Sequence, residues 1–159
     1  MAINFFNPDC IRNTNEPFFG LVDLPPATIS LDNETNWNAE IDNSAQCFTI
    51  TLTAIDGCIE ISRAEGERCE AMITYDNAIM FIELKDRDSG RWAGKARDQL
   101  ENSIRLYDRD ADLGVFTRKY AHIANKRRPY FKSGGSSFFQ EFEDRTDFVL
   151  RVSYEIKIT

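Results

Sequence analysis

Histidine is almost missing from this 159-residue chain: His122 is the only one. Together with the absence of a G-x-S-x-G elbow, that leaves a Ser-His-Asp hydrolase without support. The four cysteines, Cys10, Cys47, Cys58 and Cys69, form no C-x-x-C pair and lie eleven or more residues apart, so a structural zinc site is not expected. There is no Walker A loop and no G-x-G-x-x-G, and with them goes the usual sequence signature of a phosphate cradle. No apolar run approaches the length of a membrane span. The first ten residues, MAINFFNPDC, hold no basic leader, so the expectation is a cytoplasmic protein with reduced thiols and no membrane contact.

Basic residues are also scarce in one half. Residues 1–80 hold three (Arg12, Arg63, Arg68) against thirteen acidic ones, whereas residues 81–159 hold sixteen against thirteen. The overall charge of -7 argues against coating nucleic acid or anionic lipid by bulk charge, though not against a local basic surface. What is plentiful is phenylalanine, with 12 residues in a composition that is 42% hydrophobic, which suits a folded chain rather than a disordered one. No linker divides the sequence, and one domain is expected: a loop-rich N-terminal extension over 1–46 packed on a core over 47–158.

The extension is rich in Asn, Asp, Thr and Pro and predicts loops with one short strand near Thr28–Leu31, its Phe5, Phe6, Phe18, Phe19 and Trp37 packing onto the core. From Cys47 to Thr53 apolar residues alternate with threonines, a half-buried strand. Asp56-Gly57 then predicts a hairpin turn into Cys58–Ser62. AMITY and AIMFIELK, separated by Asp76-Asn77, predict a second hairpin. Trp92, Ala96, Leu100, Ile104 and Tyr107 recur at helical spacing, with Asp88 or Ser89 as N-cap. A strand over Lys119–Asn125, a helix over Ser136–Arg145 and a closing strand over Phe148–Ile158 complete the reading. The order is strand, strand, strand, helix, strand, helix, strand, which implies an α/β fold: a mixed central β-sheet flanked by helices.

The second hairpin carries the chemistry. If Asp76-Asn77 form the turn, Tyr75 pairs with Ala78 and Glu70 lies opposite Glu83, with Lys85 on the same face as Glu83. Met72, Thr74, Ile79 and Phe81 share that face, while Ala71, Ile73, Met80, Ile82 and Leu84 form the other. Two opposed carboxylates repel, and a divalent cation would relieve that; Mg²⁺ or Mn²⁺ is commonly held by one or two carboxylates with water and phosphate oxygens. Asp76 is rejected as a ligand because seven residues of strand put it roughly 20 Å from Glu83.

Glu70, twelve residues, then Glu83-Leu84-Lys85 on a hairpin followed by a helix resembles the PD-(D/E)XK nuclease superfamily. The resemblance covers residues 47–158 and implies a restriction-endonuclease-like core. It also implies a metal (Mg²⁺ or Mn²⁺) held by Glu70 and Glu83, and Lys85 assisting the attacking water. Glu70 stands where the family has Asp, and no Pro-Asp precedes it. In the family a polar residue of the following helix often lies near the metal, which makes Gln99, with Lys95, a candidate for substrate phosphate; the alternative is an ordinary helix-boundary residue. Glu60, Glu65 and Glu67 are candidate accessory acids with nothing to choose among them.

Between Val115 and Lys132 lie Arg118, Lys119, Lys126, Arg127, Arg128 and Lys132 with no acidic residue, interleaved with Tyr120, Tyr130 and Phe131. That composition suits phosphate contact with base stacking, and equally a basic loop facing solvent or an acidic partner. Ser133-Gly134-Gly135-Ser136, just before a helix, could hold an anion. His122 is expected to be a core or sheet-face histidine. Two functions follow. One is a metal-dependent nuclease cleaving phosphodiester bonds of DNA or RNA; any sequence reading would come from a homodimer or a partner subunit, since no separate reading domain is visible. The other is a catalytically silent, nuclease-like immunity or adaptor protein of a bacterial defence system, whose acidic half binds a basic protein.

Overall fold

The computed structural model describes residues 2–32, 34–88, 90–127 and 137–159. Its elements among these residues are β1 (Ile11–Thr14), β2 (Phe18–Asp23), β3 (Ala27–Ser30), β4 (Ala39–Asp42), β5 (Ile50–Ala54), β6 (Ala71–Tyr75), β7 (Ala78–Lys85), α1 (Trp92–Asp110), β8 (Arg118–Asn125), α2 (Ser137–Thr146), β9 (Val149–Val152) and β10 (Glu155–Lys157). The fold is mixed α/β. Six strands form one sheet in the order β1-β5-β6-β7-β8-β9, and four form another in the order β10-β4-β2-β3. β1, β5, β6 and β7 are antiparallel, whereas β7–β8 and β8–β9 are parallel. Parallel neighbours need long crossovers, and α1 and α2 supply them.

The hairpin forms in the expected register, from Tyr75↔Ala78 to Ala71↔Ile82. Asp76 takes φ 49° in its turn, a conformation that Asp and Asn tolerate better than most residues. Strand alternation then sorts the side chains into two cores. Met72, Ile79 and Phe81 join Trp92, Ala96, Leu100, Ile104, Tyr107 and Phe142, so both helices cover one face. Ala71, Ile73, Met80, Ile82 and Leu84 join Phe19, Leu21, Ile41 and Ile156 of the second sheet. The large sheet is thus covered by helices on one face only; the smaller sheet occupies the other. No described helix is long and apolar enough to cross a membrane.

Several expectations are corrected. Residues 1–46 hold four strands rather than loops with one, because the second apolar face of the large sheet needs a cover and this segment provides it. Phe5, Phe19 and Trp37 are buried as expected, while Phe6 and Phe18 are exposed. Cys58–Ser62 forms no strand: Ile59 and Ile61 turn into the helix-side core, and β5 pairs with β6 instead. The closing strand divides at Ser153-Tyr154, and its second part, β10, runs parallel to β4 in the small sheet. Finally, Cys10 and Cys58 form a disulfide, so only Cys47 (exposed) and Cys69 (buried) are free thiols. The helix cap also differs. Arg91 occupies the N-cap of α1 without a side-chain bond, and Ser89 and Ser136 lie outside the described residues.

Candidate active site at the open end of the hairpin

Alternation along β7 turns Phe81, Glu83 and Lys85 toward α1, and the helix lays Gln99 over the end of the strand. The Lys85 Nζ sits 2.9 Å from Glu83 Oε2 and donates to Gln99 Oε1 at 2.7 Å. Gln99 Nε2 in turn donates to the Arg68 carbonyl at 3.3 Å, which fixes the amide orientation. The Glu83 side chain is 1% exposed and that of Lys85 12%. A charge pair so deeply placed needs several partners to offset desolvation, and here Glu83 Oε1 also accepts from the Glu70 backbone N–H at 3.1 Å.

That last bond alters the expected opposition of Glu70 and Glu83. The ladder stops at Ala71↔Ile82, one pair short, because the Glu83 carboxylate takes the Glu70 amide while the Glu70 carbonyl accepts from Ile55 N–H at 2.8 Å. The Glu70 carboxyl lies against Asp23, at the end of β2 in the other sheet. Asp23 Oδ1 and Glu70 Oε2 are each buried without a hydrogen-bond donor. Burial first, then the nearby Glu83 and Asp23 charges, push Glu70 up to about 8; burial also raises Asp23. Burial and the neighbouring charges thus favour the protonated form of Glu70, whose carboxyl bonds to that of Asp23. Burial lifts Glu83 to about 7 against the downward pull of Lys85.

Asp56, Arg63, Gly66, Glu67, Arg68 and Gln99 line a cleft of about 370 Å³ beside this cluster. Arg68 Nε lies 3.3 Å from Asp56 Oδ1. Gln99 belongs to both the cleft wall and the lysine's shell, so it stands between the cleft and the Glu83–Lys85 pair. Lys95 stands at the rim, mostly exposed and 4.0 Å from Glu67. Of the candidate accessory acids, Glu65 is paired with Arg109 at 2.7 Å, and Glu60 is exposed. Sequence reasoning missed Asp23, Asp56 and Arg68. Asp56 reads as a turn residue, and Asp23 meets Glu70 only through packing of the two sheets.

The basic stretch does not act as a unit. Arg118 is level with Ala78 and Asn125 with Lys85, so along the strands Arg118 and Lys119 lie about 13–17 Å from Glu83 and about 20 Å or more from Lys85, at the turn end of the hairpin. Arg118 binds Asp76, Asn77 and the Thr159 carbonyl, and Lys119 lies 3.4 Å from Asp147. Lys126 and Arg127 are at the correct end: the Lys126 N–H donates to the Lys85 carbonyl at 3.0 Å, and Arg127 pairs with Asp86 at 2.8 Å. Arg128, Tyr130, Phe131, Lys132 and the Ser133–Ser136 turn lie outside the described residues. His122 is a buried sheet residue whose Nε2 lies 2.8 Å from the Ser153 carbonyl; burial lowers it to about 4 and keeps it neutral.

Among the described residues no three Asp, Glu, His or Cys side chains converge to hold a metal. The donor set suits a hard cation held by few protein ligands: Glu70 offers a buried oxygen with no donor, while Glu83 would have to share its carboxylate with Lys85. No protein-family model, curated protein or solved structure matches the chain.

Proposed function

We propose that this chain is a metal-dependent phosphodiesterase of the PD-(D/E)XK type acting on DNA or RNA. The observation that carries the reading is the Lys85 ammonium, held between Glu83 and Gln99, the latter also lining the adjacent cleft. The order β5, β6, β7, α1, β8, α2, β9, with its antiparallel meander and two parallel crossovers, supports a restriction-endonuclease-like core. Glu70 and Glu83 would hold Mg²⁺ or Mn²⁺, which when bound supplies Lewis-acid stabilisation of phosphoryl charge and an acidified water. Lys85 orients the attacking water and stabilises the charge that develops on the phosphate. Gln99 fixes the lysine's position. Arg68 and Arg63 in the cleft, with Lys126 and Arg127 at the near end of β8, are better placed for backbone phosphates than Arg118 or Lys119.

Incubating the protein with labelled single- and double-stranded DNA and RNA plus Mn²⁺ tests this. Cleavage should fall by at least about 10²-fold in Lys85→Ala, the size of effect seen when a preorganised charge-stabilising group is removed. No cleavage of any substrate, or cleavage indifferent to Lys85, overturns the reading.

One observation favours the second reading, a nuclease-like binding protein without catalysis: Glu83 is 1% exposed and already neutralised by Lys85. With the acidic surplus of residues 1–80, that arrangement would suit a basic protein partner. Stable co-purification with such a partner, in a protein that fails to bind Mn²⁺, selects it. The Cys10–Cys58 bridge favours an oxidising compartment over the cytoplasm for either function.

A further inference from the structure

Asp23 ends β2 of the small sheet and Glu70 directly precedes β6 of the large one, and each has one buried carboxyl oxygen, Asp23 Oδ1 and Glu70 Oε2, without a hydrogen-bond partner. Glu70 is only 9% exposed, so water cannot readily replace the missing partner. The Asp23 backbone is anchored, its N–H held by Asn38 Oδ1 at 3.0 Å and its register fixed opposite Ala27. Of the carboxylates around Glu70, Glu83 is engaged by Lys85 and by the Glu70 amide, and Asp56 is engaged by Arg68. Asp23 is therefore the carboxylate left to work with Glu70.

We propose that Asp23 and Glu70 jointly bind a divalent cation at the seam between the two sheets. The inference rests on the phosphodiesterase reading for its use, but it reassigns the second carboxylate of the metal site from Glu83 to Asp23. A cation there joins two buried carboxyl groups that the fold has already brought together. Water and a substrate phosphate oxygen complete its shell, as is common for Mg²⁺ and Mn²⁺ sites with few protein ligands. It also gives the N-terminal sheet a role in the site, since β2 delivers one of the two ligands. Glu83 is left as the partner that holds Lys85 in place.

The test is calorimetric titration of the full, chelator-treated chain with Mn²⁺, on wild type, Asp23→Asn and Asp56→Asn, with the metal-free melting temperature of each as a control for folding. Wild type should bind one Mn²⁺ and melt higher with it. Asp23→Asn should bind at least tenfold more weakly, and Asp56→Asn, which removes the same charge nearby, should change affinity less than threefold. Asp23→Ser replaces Asp23→Asn if the latter does not fold. In wild type, Mn²⁺ should broaden the amide resonances of Val22, Asp23 and Leu24 along with those of Glu70 and Ala71. Absence of Mn²⁺ binding, a loss below tenfold at Asp23, an equal loss at Asp56, or sharp resonances at 22–24 each overturns the inference. The two readings separate cleanly. Wild type that binds Mn²⁺ through Asp23 but cleaves nothing removes the nuclease and keeps the site. A cleaving Asp23→Asn enzyme with unchanged Mn²⁺ affinity keeps the nuclease and removes the site.

Discussion

Glu70 and His122 are both buried titratable residues, and burial moves them in opposite directions because it disfavours the charged form of each. Glu70 rises from an ordinary 4.5 to about 8, so between those values the folded chain holds a proton that the unfolded chain has lost. Its contribution to stability is therefore complete below pH 4.5 and is lost as pH climbs toward 8. His122 falls from 6.5 to about 4, so the unfolded chain binds the extra proton and stability is lost as pH drops through that window. Below pH 6.5 the two effects oppose each other; above it only the carboxyl effect remains. In the absence of divalent metal, the melting temperature should fall between pH 6.5 and 8.5. Glu70→Gln, which keeps a donor toward Asp23 and cannot ionise, should remove most of that fall and leave the variant about 5 °C more stable than wild type at pH 8.5. Circular dichroism melts across the range check this, and parallel curves for the two proteins would contradict it. From sequence, the Glu70–Glu83 neighbourhood was legible because hairpin register is arithmetic once the turn is known. The direction of the Glu70 carboxyl was not, since it depends on a partner 47 positions away in another sheet.

Elements differ in legibility for the same reason. β6 and β7 announce themselves through alternation over thirteen residues and a turn that tolerates left-handed backbone, so register and both faces could be assigned without coordinates. α1 is legible through five apolar residues at helical spacing that end up buried together. β1, β2, β3 and β4 run four to six residues each and contain Asn, Asp and Gly, which leaves too little pattern to separate strand from loop. Gly20 shows why a strand-weakening residue can still be required. A Cβ there would lie 2.1 Å from Trp37 Cδ2, so the indole ring packs directly on the β2 backbone. Gly20→Ala should cost at least the roughly 1–3 kcal/mol typical of core overpacking, and it should shift Trp37 fluorescence toward that of an exposed indole. Phe81→Ala, on β7 between Tyr107 and Phe148, should cost about 3–5 kcal/mol through the cavity it leaves. Urea denaturation measures both, and a Gly20→Ala protein as stable as wild type would show that Trp37 can move aside.

At the scale of the whole molecule, the N-terminal segment is an integral layer rather than an appendage. It places β1 on the edge of the large sheet, builds three strands of the small one and brings Asp23 to the site. A covalent link secures this arrangement, since Cys10 just before β1 is bonded to Cys58, which follows β5 by four residues. The bridge spans 48 positions in sequence. A closed loop of that length removes enough freedom from the unfolded chain to stabilise the fold by about 4 kcal/mol in the chain-entropy account. For a domain of this size that corresponds to a melting temperature higher by about 10 °C. Ile59 and Ile61, just beyond the bridge, are buried with Ile55 in the helix-side core, so loosening the bridge also frees the segment that leads to Arg63 and Arg68 in the cleft. Reductant should therefore lower the melting temperature of wild type by about 10 °C and leave a Cys10→Ser/Cys58→Ser double variant unmoved at the lower value. Thiol counting in denaturant should give two reactive groups before reduction, Cys47 and Cys69, and four after it. Four thiols in unreduced protein, or melting indifferent to reductant, would mean that the two sheets are held together by packing alone.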